Sequence, residues 1–282
     1  MTSNIKQKEF WTGPAGKVWV EGKAEKDNML LPLGNSALNK THIIPGMKVL
    51  DVGCGTGFVS AQLSDVVSDK GQVTGVDISE TMIKEAKKYI KKLKITNTIF
   101  KVIDVENDKL KKNYYDEVFS RFGVMFFSNP IKAFHNINYS MKSGTFITFV
   151  CWQAQKINLW YDFPLNVVKK YIDIPDFQSK APSPFAFSSK NYIREILNNS
   201  NFKNINIIPN EENIELYKGL NLEDAVKEYM HNTPIFKKQF LAMTIKEKKE
   251  IYSDLEKGLF RFYKKNVLKF PSKTWIVQAQ KQ

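Results

Sequence analysis

Three glycines at alternate positions follow a short apolar run near residue 50. The run and the turn read Val49-Leu50-Asp51-Val52-Gly53-Cys54-Gly55-Thr56-Gly57. Glycine lets the backbone turn tightly and come close to a ligand, because no Cβ stands in the way. If this turn opens a helix, the free N–H groups of the first helical turn favour an anionic group such as a carboxylate. The motif therefore predicts a ligand-binding loop after a strand.

The spacing of the glycines distinguishes between ligands. A dinucleotide loop reads G-x-G-x-x-G and is built for a pyrophosphate. Here Gly57 comes one position early, and Phe58 occupies the place of the third dinucleotide glycine. A phosphate-binding G-x-x-x-x-G-K-[ST] loop does not occur in the sequence. The G-x-G-x-G spacing after an acidic strand end favours S-adenosylmethionine (SAM), which has an amino-acid end and no pyrophosphate.

Polar residues also end the next three predicted strands. Asp77 can accept from ribose hydroxyls, Asp104 from an adenine amino group, and Ser120 and Arg121 lie at the edge where α/β sites form. Each has a plainer interpretation: Asp77 also fits a cap for the helix near Ser79, and Asp104 an ordinary helix start. Their occurrence in order at successive strand ends favours one site.

Alternating strands and helices must position these residues. The predicted strands are Met47–Val52, Gln72–Asp77, Thr98–Ile103, Glu117–Phe119 and Thr145–Cys151, and the helices are Phe58–Val67, Ser79–Lys94 and Pro130–Met141. Later helices are predicted near Phe163–Tyr171, Ser189–Asn199, Leu222–Met230 and Lys246–Lys265, and later strands at Asn204–Ile208 and Thr274–Ala279. The order predicts an α/β fold with a Rossmann-like, doubly wound seven-stranded sheet.

Two parts of the chain fit this sheet less well. Four prolines and several aromatic residues lie in 153–189, which we interpret as a lid or insertion after strand five. We expect residues 1–46 to form an N-terminal helical segment that contributes to the lid. Residues 47–282 then form the SAM-binding domain, with insertions at about 153–189 and 216–266.

Composition limits the class of partner. The net charge is +13, but the lysines are spread through the chain and fit the solvated faces of helices, so we expect a small-molecule partner and no nucleic acid. No apolar run is long enough to span a bilayer. Cys54 and Cys151 lie far apart, and the three histidines lack metal-ligand spacing. We expect a cytoplasmic protein with no metal site.

With these motifs the chain resembles the class I SAM-dependent methyltransferases, and more closely the bacterial group related to the ubiquinone/menaquinone-biosynthesis C-methyltransferases. Apart from the glycine motif, the resemblance lies in Trp11–Trp19, Ser120–Phe127 with Asn129-Pro130, Phe149–Gln153, Pro184–Phe187 and Trp275–Val277. One departure is Ser143-Gly144-Thr145, where the group has Pro-Gly-Gly. The resemblance implies a bacterial, cytosolic enzyme with SAM as methyl donor, and it implies no single acceptor.

The resemblance also implies residue roles at the cofactor. The expected cofactor residues are Asp51, Gly53, Cys54, Gly55 and Gly57 at the amino-acid end, Asp77 and Ile78 at the ribose and adenine, Asp104 and Val105 at the adenine edge, and Ser120 and Arg121 near the methionine moiety. No general base is assigned, since the sulfonium is already activated and positioning supplies most of the rate. His135 is interpreted as a surface or packing residue.

Aromatic residues are the candidates for the acceptor pocket. We expect Trp11, Trp19, Trp152, Trp160 and Tyr161 to line it, with ordinary core packing as the alternative.

Three other functions find less support in the sequence. A nucleic-acid methyltransferase lacks support, because no Asn-Pro-Pro motif follows strand four and neither cysteine follows a proline; sugar and protein acceptors stay open. A non-catalytic SAM-binding protein is opposed by the intact cofactor positions. An NAD-linked oxidoreductase is opposed by the glycine spacing.

Overall fold

The computed structural model describes residues 3–174, 180–232 and 239–282, and a seven-stranded sheet forms its centre. The strands are β1 (Lys48–Val52), β2 (Gln72–Asp77), β3 (Thr98–Val102), β4 (Tyr115–Arg121), β5 (Met141–Trp152), β6 (Phe202–Leu216) and β7 (Leu268–Lys281). Their order across the sheet is β3-β2-β1-β4-β5-β7-β6. Strands β1 to β5 pair in parallel, and β7 runs antiparallel between β5 and β6.

Helices flank the sheet and precede it. They are α1 (Ser3–Thr12), α2 (Pro14–Glu21), α3 (Lys23–Leu38), α4 (Phe58–Val67), α5 (Glu80–Leu93), α6 (Pro130–Ser140), α7 (Leu159–Val168), α8 (Lys190–Asn198), α9 (Leu222–Asn232) and α10 (Ile245–Leu259). The inner strands β1, β2 and β4 are buried along most of their length, as expected when both faces of a parallel sheet are covered. The predicted α/β, Rossmann-like sheet is thereby confirmed.

Local sequence explains where the first helices begin and end. Gly57 precedes α4 in the left-handed region, at φ +86°. The Ser79 hydroxyl accepts from the Met82 N–H and caps α5, which ends where Lys94 adopts φ +58°. The predicted bounds of these two helices agree with the structure within one residue.

The last two strands are much longer than predicted. β6 was expected to end at Ile208, and it continues past Pro209 to Leu216 because it pairs with β7 along its whole length. β6 is an edge strand, where a proline costs no ladder hydrogen bond on its open side. In its C-terminal half, exposed acids alternate with the buried Ile214 and Leu216. This is a strand pattern, but the many charged residues make it hard to recognise in the sequence.

The long C-terminal helix is shorter than predicted. α10 was expected to run from Lys246 to Lys265, and it ends at Leu259, where a 3-10 turn Phe260–Phe262 leads toward β7. The helix predicted near Phe163–Tyr171 is α7, which begins at Leu159 and ends at Val168. Parts of the expected insertions, 175–179 and 233–238, lie outside the described residues.

The N-terminal helices are docked on the sheet domain by specific hydrogen bonds. The backbone carbonyl of Trp11 accepts from the Ser79 hydroxyl at 2.7 Å, and that of Thr12 accepts from the Thr81 hydroxyl at 2.8 Å. Lys23 and Glu85 form an ion pair at 2.8 Å. α1 to α3 therefore lie over the start of α5. Within the described ranges, no helix is long and apolar enough to cross a membrane.

Candidate functional site

A cavity of about 420 Å³ lies at the carboxyl ends of β1, β2 and β4. Of the expected cofactor residues it is lined by Asp51, Gly53, Cys54, Gly55, Asp77, Ile78, Asp104, Val105 and Arg121, and all five expected acceptor residues, Trp11, Trp19, Trp152, Trp160 and Tyr161, line it as well. The crevice beyond β1 and β4 is the switch point of the sheet order, where α/β proteins bind ligands.

The glycine loop has a backbone that only glycine adopts without strain. Gly53, Gly55 and Gly57 have φ of +68°, +54° and +86°. A Cβ on Gly53 would stand 2.8 Å from the Cα of Gly123, so the loop after β1 touches the loop after β4. The N–H groups of Gly53 and Cys54 both donate to the carbonyl of Val76, at 2.9 and 3.0 Å. The loop is thus held between its two neighbouring strands.

Two expected cofactor residues do not line the cavity. A Cβ on Gly57 would stand 2.8 Å from the Phe100 ring and 3.0 Å from the Ala86 side chain, so Gly57 lets α4 pack closely against β3 and α5. Ser120 is fully buried, and its hydroxyl donates to the carbonyl of Val52 at 2.7 Å. The structure therefore assigns both residues to packing and strand alignment.

The carboxylate of Asp77 links the end of β2 to the glycine loop. Its oxygens accept from the backbone N–H of Gly55 at 2.9 Å and from that of Ser79 at 2.8 Å. Burial raises the pKa of Asp77, while these amide hydrogen bonds oppose the rise. The N-cap of α5 is Ser79, so Asp77 does not cap the helix itself but binds the N–H of the residue that does. A carboxylate offers about four lone-pair sites, so the group still has capacity for ribose hydroxyls.

Asp51 lies under the loop with little exposure to solvent. Its Oδ2 accepts from the Ser60 hydroxyl at 2.6 Å, and 1 % of the residue is exposed. Burial raises the pKa of Asp51 to about 6, opposed by the Ser60 hydrogen bond and the charge of Arg121. A cationic ligand in the cavity would favour the ionised form of this acid.

Asp104 reaches the cavity from the end of β3, but its carboxylate is engaged locally. Oδ1 accepts from the Glu106 N–H at 3.0 Å, and Oδ2 accepts from the Asn107 side-chain amide at 2.7 Å. The residue thus organises the turn that follows β3. Its neighbour Val105 is buried and lines the cavity together with Ile78. At the end of β3 the cavity therefore has an apolar wall beside the polar Asp104.

Arg121 forms a buried ion pair with Asp27 of α3. Nη2 donates to Oδ1 at 2.6 Å, and the two side chains are 9 % and 8 % exposed. The guanidinium carbon lies 5.4 Å from the centre of the Phe58 ring, at the start of α4. Nη1 is buried without a hydrogen-bond partner in the part of the chain that the structure describes.

Stacked aromatic rings form another part of the wall. The Phe122 and Trp152 rings are parallel within 19° with centroids 4.5 Å apart, and Trp160 lies 4.8 Å from Trp152. Phe122 has φ +57°, a strained conformation for an aromatic residue, directly after Arg121. Nε1 of Trp160 is buried and finds no acceptor among the described residues.

Aromatic residues of the N-terminal helices contribute further rings. Trp11 lies 4.9 Å from Phe126 and 6.2 Å from Trp19, each edge to face. Tyr161 contacts Phe185 at 5.0 Å, and burial raises the pKa of its phenol well above the ordinary value. The cavity therefore joins a glycine loop with acidic residues to an aromatic chamber. The chamber is lined by the rings of Trp11, Trp19, Phe122, Trp152, Trp160 and Tyr161.

Several residues of the site were not foreseen from the sequence. They are Glu25, Lys26, Asp27, Met29, Met82, Gly123, Tyr217 and Tyr229. Asp27 had no distinguishing signal, because a charged residue in a helix usually marks a solvated face. His135 is exposed on α6 and does not line the cavity. The described residues contain no cluster of three or more metal-ligand side chains.

The residues present fit SAM. The N-terminus of α4 and Arg121 offer positive charge to a carboxylate, whereas Asp51 and Asp77 offer negative charge to a cation. The loop glycines leave the space that a Cβ would occupy.

Comparison with known proteins agrees with this geometry. The profile of the methyltransferase domain family matches residues 43–258. The ubiquinone/menaquinone biosynthesis C-methyltransferase UbiE of Psychromonas ingrahamii is 27 % identical, covering 56 % of this chain and 67 % of that protein. The demethylmenaquinone methyltransferase of Staphylococcus haemolyticus is 29 % identical, covering 59 % and 72 %. The 235L protein of Invertebrate iridescent virus 6, named a methyltransferase, is 37 % identical, but the match spans only 38 % of either chain.

Solved structures share the fold. The YcgJ protein of Bacillus subtilis superposes with a TM-score of 0.55 at 15 % identity, over 90 % of this chain and 98 % of that one. Phosphoethanolamine N-methyltransferase 2 of Haemonchus contortus, solved with phosphomonomethylethanolamine and S-adenosylhomocysteine, gives a TM-score of 0.52 at 20 % identity, over 89 % and 52 %. The chain belongs to the methyltransferase domain family, in the class I group of SAM-dependent enzymes that includes the ubiquinone/menaquinone-biosynthesis C-methyltransferases.

Proposed function

We propose that the protein transfers the methyl group of SAM to a small, largely apolar molecule. The observation that carries this proposal is that one cavity joins the glycine loop to the aromatic chamber. A volume of about 420 Å³ falls within the range of pockets for small ligands. The relatives named for ubiquinone and menaquinone biosynthesis support a small-molecule acceptor.

The chain's own residues would act mainly by positioning. Bound SAM supplies a methyl group that the sulfonium already activates. Gly53 and Gly55 allow the backbone to approach it, Asp77 is placed for the ribose hydroxyls, and Asp51 favours its positive charge. Holding the two reactants in line supplies much of the rate in such a transfer. No residue of the cavity is assigned as a general base.

The aromatic chamber would hold the acceptor. The stacked rings of Phe122, Trp152 and Trp160 offer a flat apolar surface. The unpartnered Nε1 of Trp160 would donate one hydrogen bond to an oxygen or nitrogen of the acceptor. A buried donor without an acceptor rejects ligands that cannot pair with it.

The parts of the chain outside the sheet would form the cover of the site. Residues 1–46 contribute Trp11 and Trp19 to the cavity wall, the segment 153–189 contributes Trp160 and Tyr161, and the segment 216–266 contributes Tyr217 and Tyr229. We propose that these three segments act as the lid and shape acceptor specificity. The buried, unpaired cysteines fit a reducing bacterial cytoplasm.

A ligand titration tests the proposal. Purified protein is titrated with SAM, S-adenosylhomocysteine, NAD and a short RNA duplex, and the thermal midpoint is followed, since a ligand that binds only the folded state raises it. We expect shifts with SAM and S-adenosylhomocysteine alone. A panel of planar acceptors is then screened for S-adenosylhomocysteine formation. Binding without turnover across the panel would favour a non-catalytic SAM-binding protein, and a salt-sensitive shift with RNA would favour a nucleic-acid acceptor.

A further inference from the structure

The ion pair between Arg121 and Asp27 leaves one nitrogen of the guanidinium without a hydrogen-bond partner among the described residues. Asp27 engages Nη2, while the buried Nη1 has no partner within the described ranges. A buried, charged N–H without an acceptor is costly, and most such groups in proteins are paired. Nη1 is therefore available to an acceptor that a ligand supplies.

The surroundings of Arg121 indicate which part of a ligand that acceptor belongs to. Phe58, whose ring lies against the guanidinium, is the first residue of α4. Gly123, two residues beyond Arg121, touches the glycine loop at Gly53. A helix N-terminus and a guanidinium both attract a carboxylate. The two positive features thus converge on the glycine loop, where the proposed function puts the amino-acid end of the cofactor.

α3 holds the Arg121 side chain at two points. Asp27 binds its guanidinium, and Gly34, two turns later, leaves room for its stem, because a Cβ at Gly34 would stand 3.0 Å from the Cδ of Arg121. Glycine weakens a helix interior, so its presence in the middle of α3 has a local reason in this close approach.

We propose that Nη1 of Arg121 binds the carboxylate of the methionyl group of SAM, and that Asp27 is a positioning residue that fixes the guanidinium for this contact. The inference rests on the cofactor in the proposed function and does not depend on the acceptor. It makes an N-terminal helix, outside the glycine loop and the strand ends, part of cofactor recognition.

Calorimetry with three ligands tests the inference: SAM, its decarboxylated analogue, and 5′-methylthioadenosine, which lacks the amino-acid end. The quantity of interest is the ratio of the dissociation constant of decarboxylated SAM to that of SAM. Because charged hydrogen bonds contribute about 1.5–3 kcal/mol, we expect this ratio to fall roughly 10- to 100-fold in Arg121→Gln. Asp27→Asn should lower it less, and the double variant should match Arg121→Gln, as for residues that act through one contact.

The controls separate a specific role from a loss of folding. Methylthioadenosine should bind all variants as it binds the wild type, and Glu85→Gln, which breaks a different ion pair of α3, should leave the ratio unchanged. If Arg121→Gln folds poorly because Asp27 is left buried alone, the uncharged double variant supplies the measurement. An unchanged ratio in Arg121→Gln or the double variant would overturn the carboxylate contact.

Three further outcomes are decisive. An unchanged ratio in Asp27→Asn, with a lowered one in Arg121→Gln, would overturn the positioning role. Loss of methylthioadenosine binding together with SAM binding would show a structural role only. Failure of the wild type to bind SAM at all would instead refute the proposed function.

Discussion

Asp77 accepts a hydrogen bond from the backbone N–H of Gly55 at 2.9 Å, and so fixes the glycine loop to the end of the neighbouring strand. Its other oxygen accepts from the N–H of Ser79 at the start of α5. A single carboxylate thus sets the position of the loop and of the next helix. Both of its present partners are donors, which makes the acid hard to replace.

Asp77→Asn should weaken SAM binding, because asparagine keeps one accepting oxygen, while its NH₂ group cannot accept from the second backbone N–H and the negative charge is lost. We expect a loss of roughly 1.5–3 kcal/mol, the range for hydrogen bonds to charged groups. The dissociation constant from calorimetry checks this. Asp65→Asn, on the exposed face of α4, is the matched control and should bind SAM normally. Wild-type affinity in Asp77→Asn would show that the carboxylate does not serve the cofactor.

Gly55→Val should abolish SAM binding. A Cβ at Gly55 meets protein atoms only at ordinary contact distances, 3.7 Å from Met82 and 3.9 Å from Trp19, so the larger side chain would occupy cofactor space. The left-handed φ of +54° adds backbone strain. Gly46→Val is the control, because Gly46 has φ +92° with no neighbour within 4 Å. Both variants should lose stability, and only Gly55→Val should lose the ligand; equal SAM affinity in the two would contradict the loop assignment.

SAM affinity should rise as the pH rises through about 6, and it should level off above that value. Burial raises the pKa of Asp51 to about 6, and a bound cation lowers it, so the cofactor binds better once the acid is ionised. Dissociation constants measured between pH 5 and 8 check this prediction. Asp51→Asn should flatten the profile. The same slope for uncharged methylthioadenosine would point to a conformational cause instead.

The stability of the protein should fall as the pH rises from about 4.5 to about 7, in part because of Glu117. This residue is 1 % exposed in β4 and accepts from the His42 N–H at 3.1 Å. Burial raises the pKa of Glu117 from 4.5 to about 7. The folded state therefore keeps a proton that the unfolded state releases, and the free energy of unfolding decreases across that window.

Glu117→Gln should remove this contribution. At pH 8 the variant should be more stable than the wild type by up to about 3 kcal/mol, whereas near pH 4.5 the difference should vanish. Urea unfolding of both proteins at several pH values measures the difference. A difference that does not vary with pH would mean that Glu117 does not titrate as described.

Trp160→Phe should leave SAM affinity within twofold of the wild type and raise the KM of the acceptor. The phenylalanine ring keeps much of the contact with Trp152, while the Nε1–H is lost, which costs about 0.5–1.5 kcal/mol, or roughly 2- to 12-fold. Steady-state kinetics with an acceptor from the screen measures this. Trp275→Phe is the control, because it removes an indole N–H that already donates to a protein group, the Ser188 carbonyl. It should leave the KM of the acceptor unchanged. A rise in the dissociation constant of SAM, without a rise in the KM of the acceptor, would place Trp160 at the cofactor.

The sequence predicted the parts of the site that depend on local backbone chemistry. The spacing of Gly53 and Gly55 and the acid at Asp77 follow from what a turn after a parallel strand must do, and all three line the cavity. Ser120 was expected there for the same reason. Its hydroxyl instead donates to the Val52 carbonyl of the neighbouring strand, and because alternate residues of a strand face opposite sides, it is the next residue, Arg121, that lines the cavity.

Other residues were not predictable because their partners are distant in sequence. Asp27 pairs with Arg121 across 94 positions, and in the sequence it follows the charged Glu25 and Lys26 like a residue of a solvated helix face. Likewise, β6 looked like a short strand because Pro209 and a run of acids interrupt its apolar pattern. Only the pairing with β7 shows why it continues to Leu216.

The insertion of β7 between β5 and β6 has a consequence for synthesis on the ribosome. β6 is made more than fifty residues before β7, yet it joins the sheet only through β7. Until Leu268–Lys281 has emerged, β5 remains an open edge and β6 has no strand to pair with. While residues 217–267 are being made, the nascent chain therefore carries one open sheet edge at β5 and one unpaired strand, β6, which exposes it to aggregation at that stage.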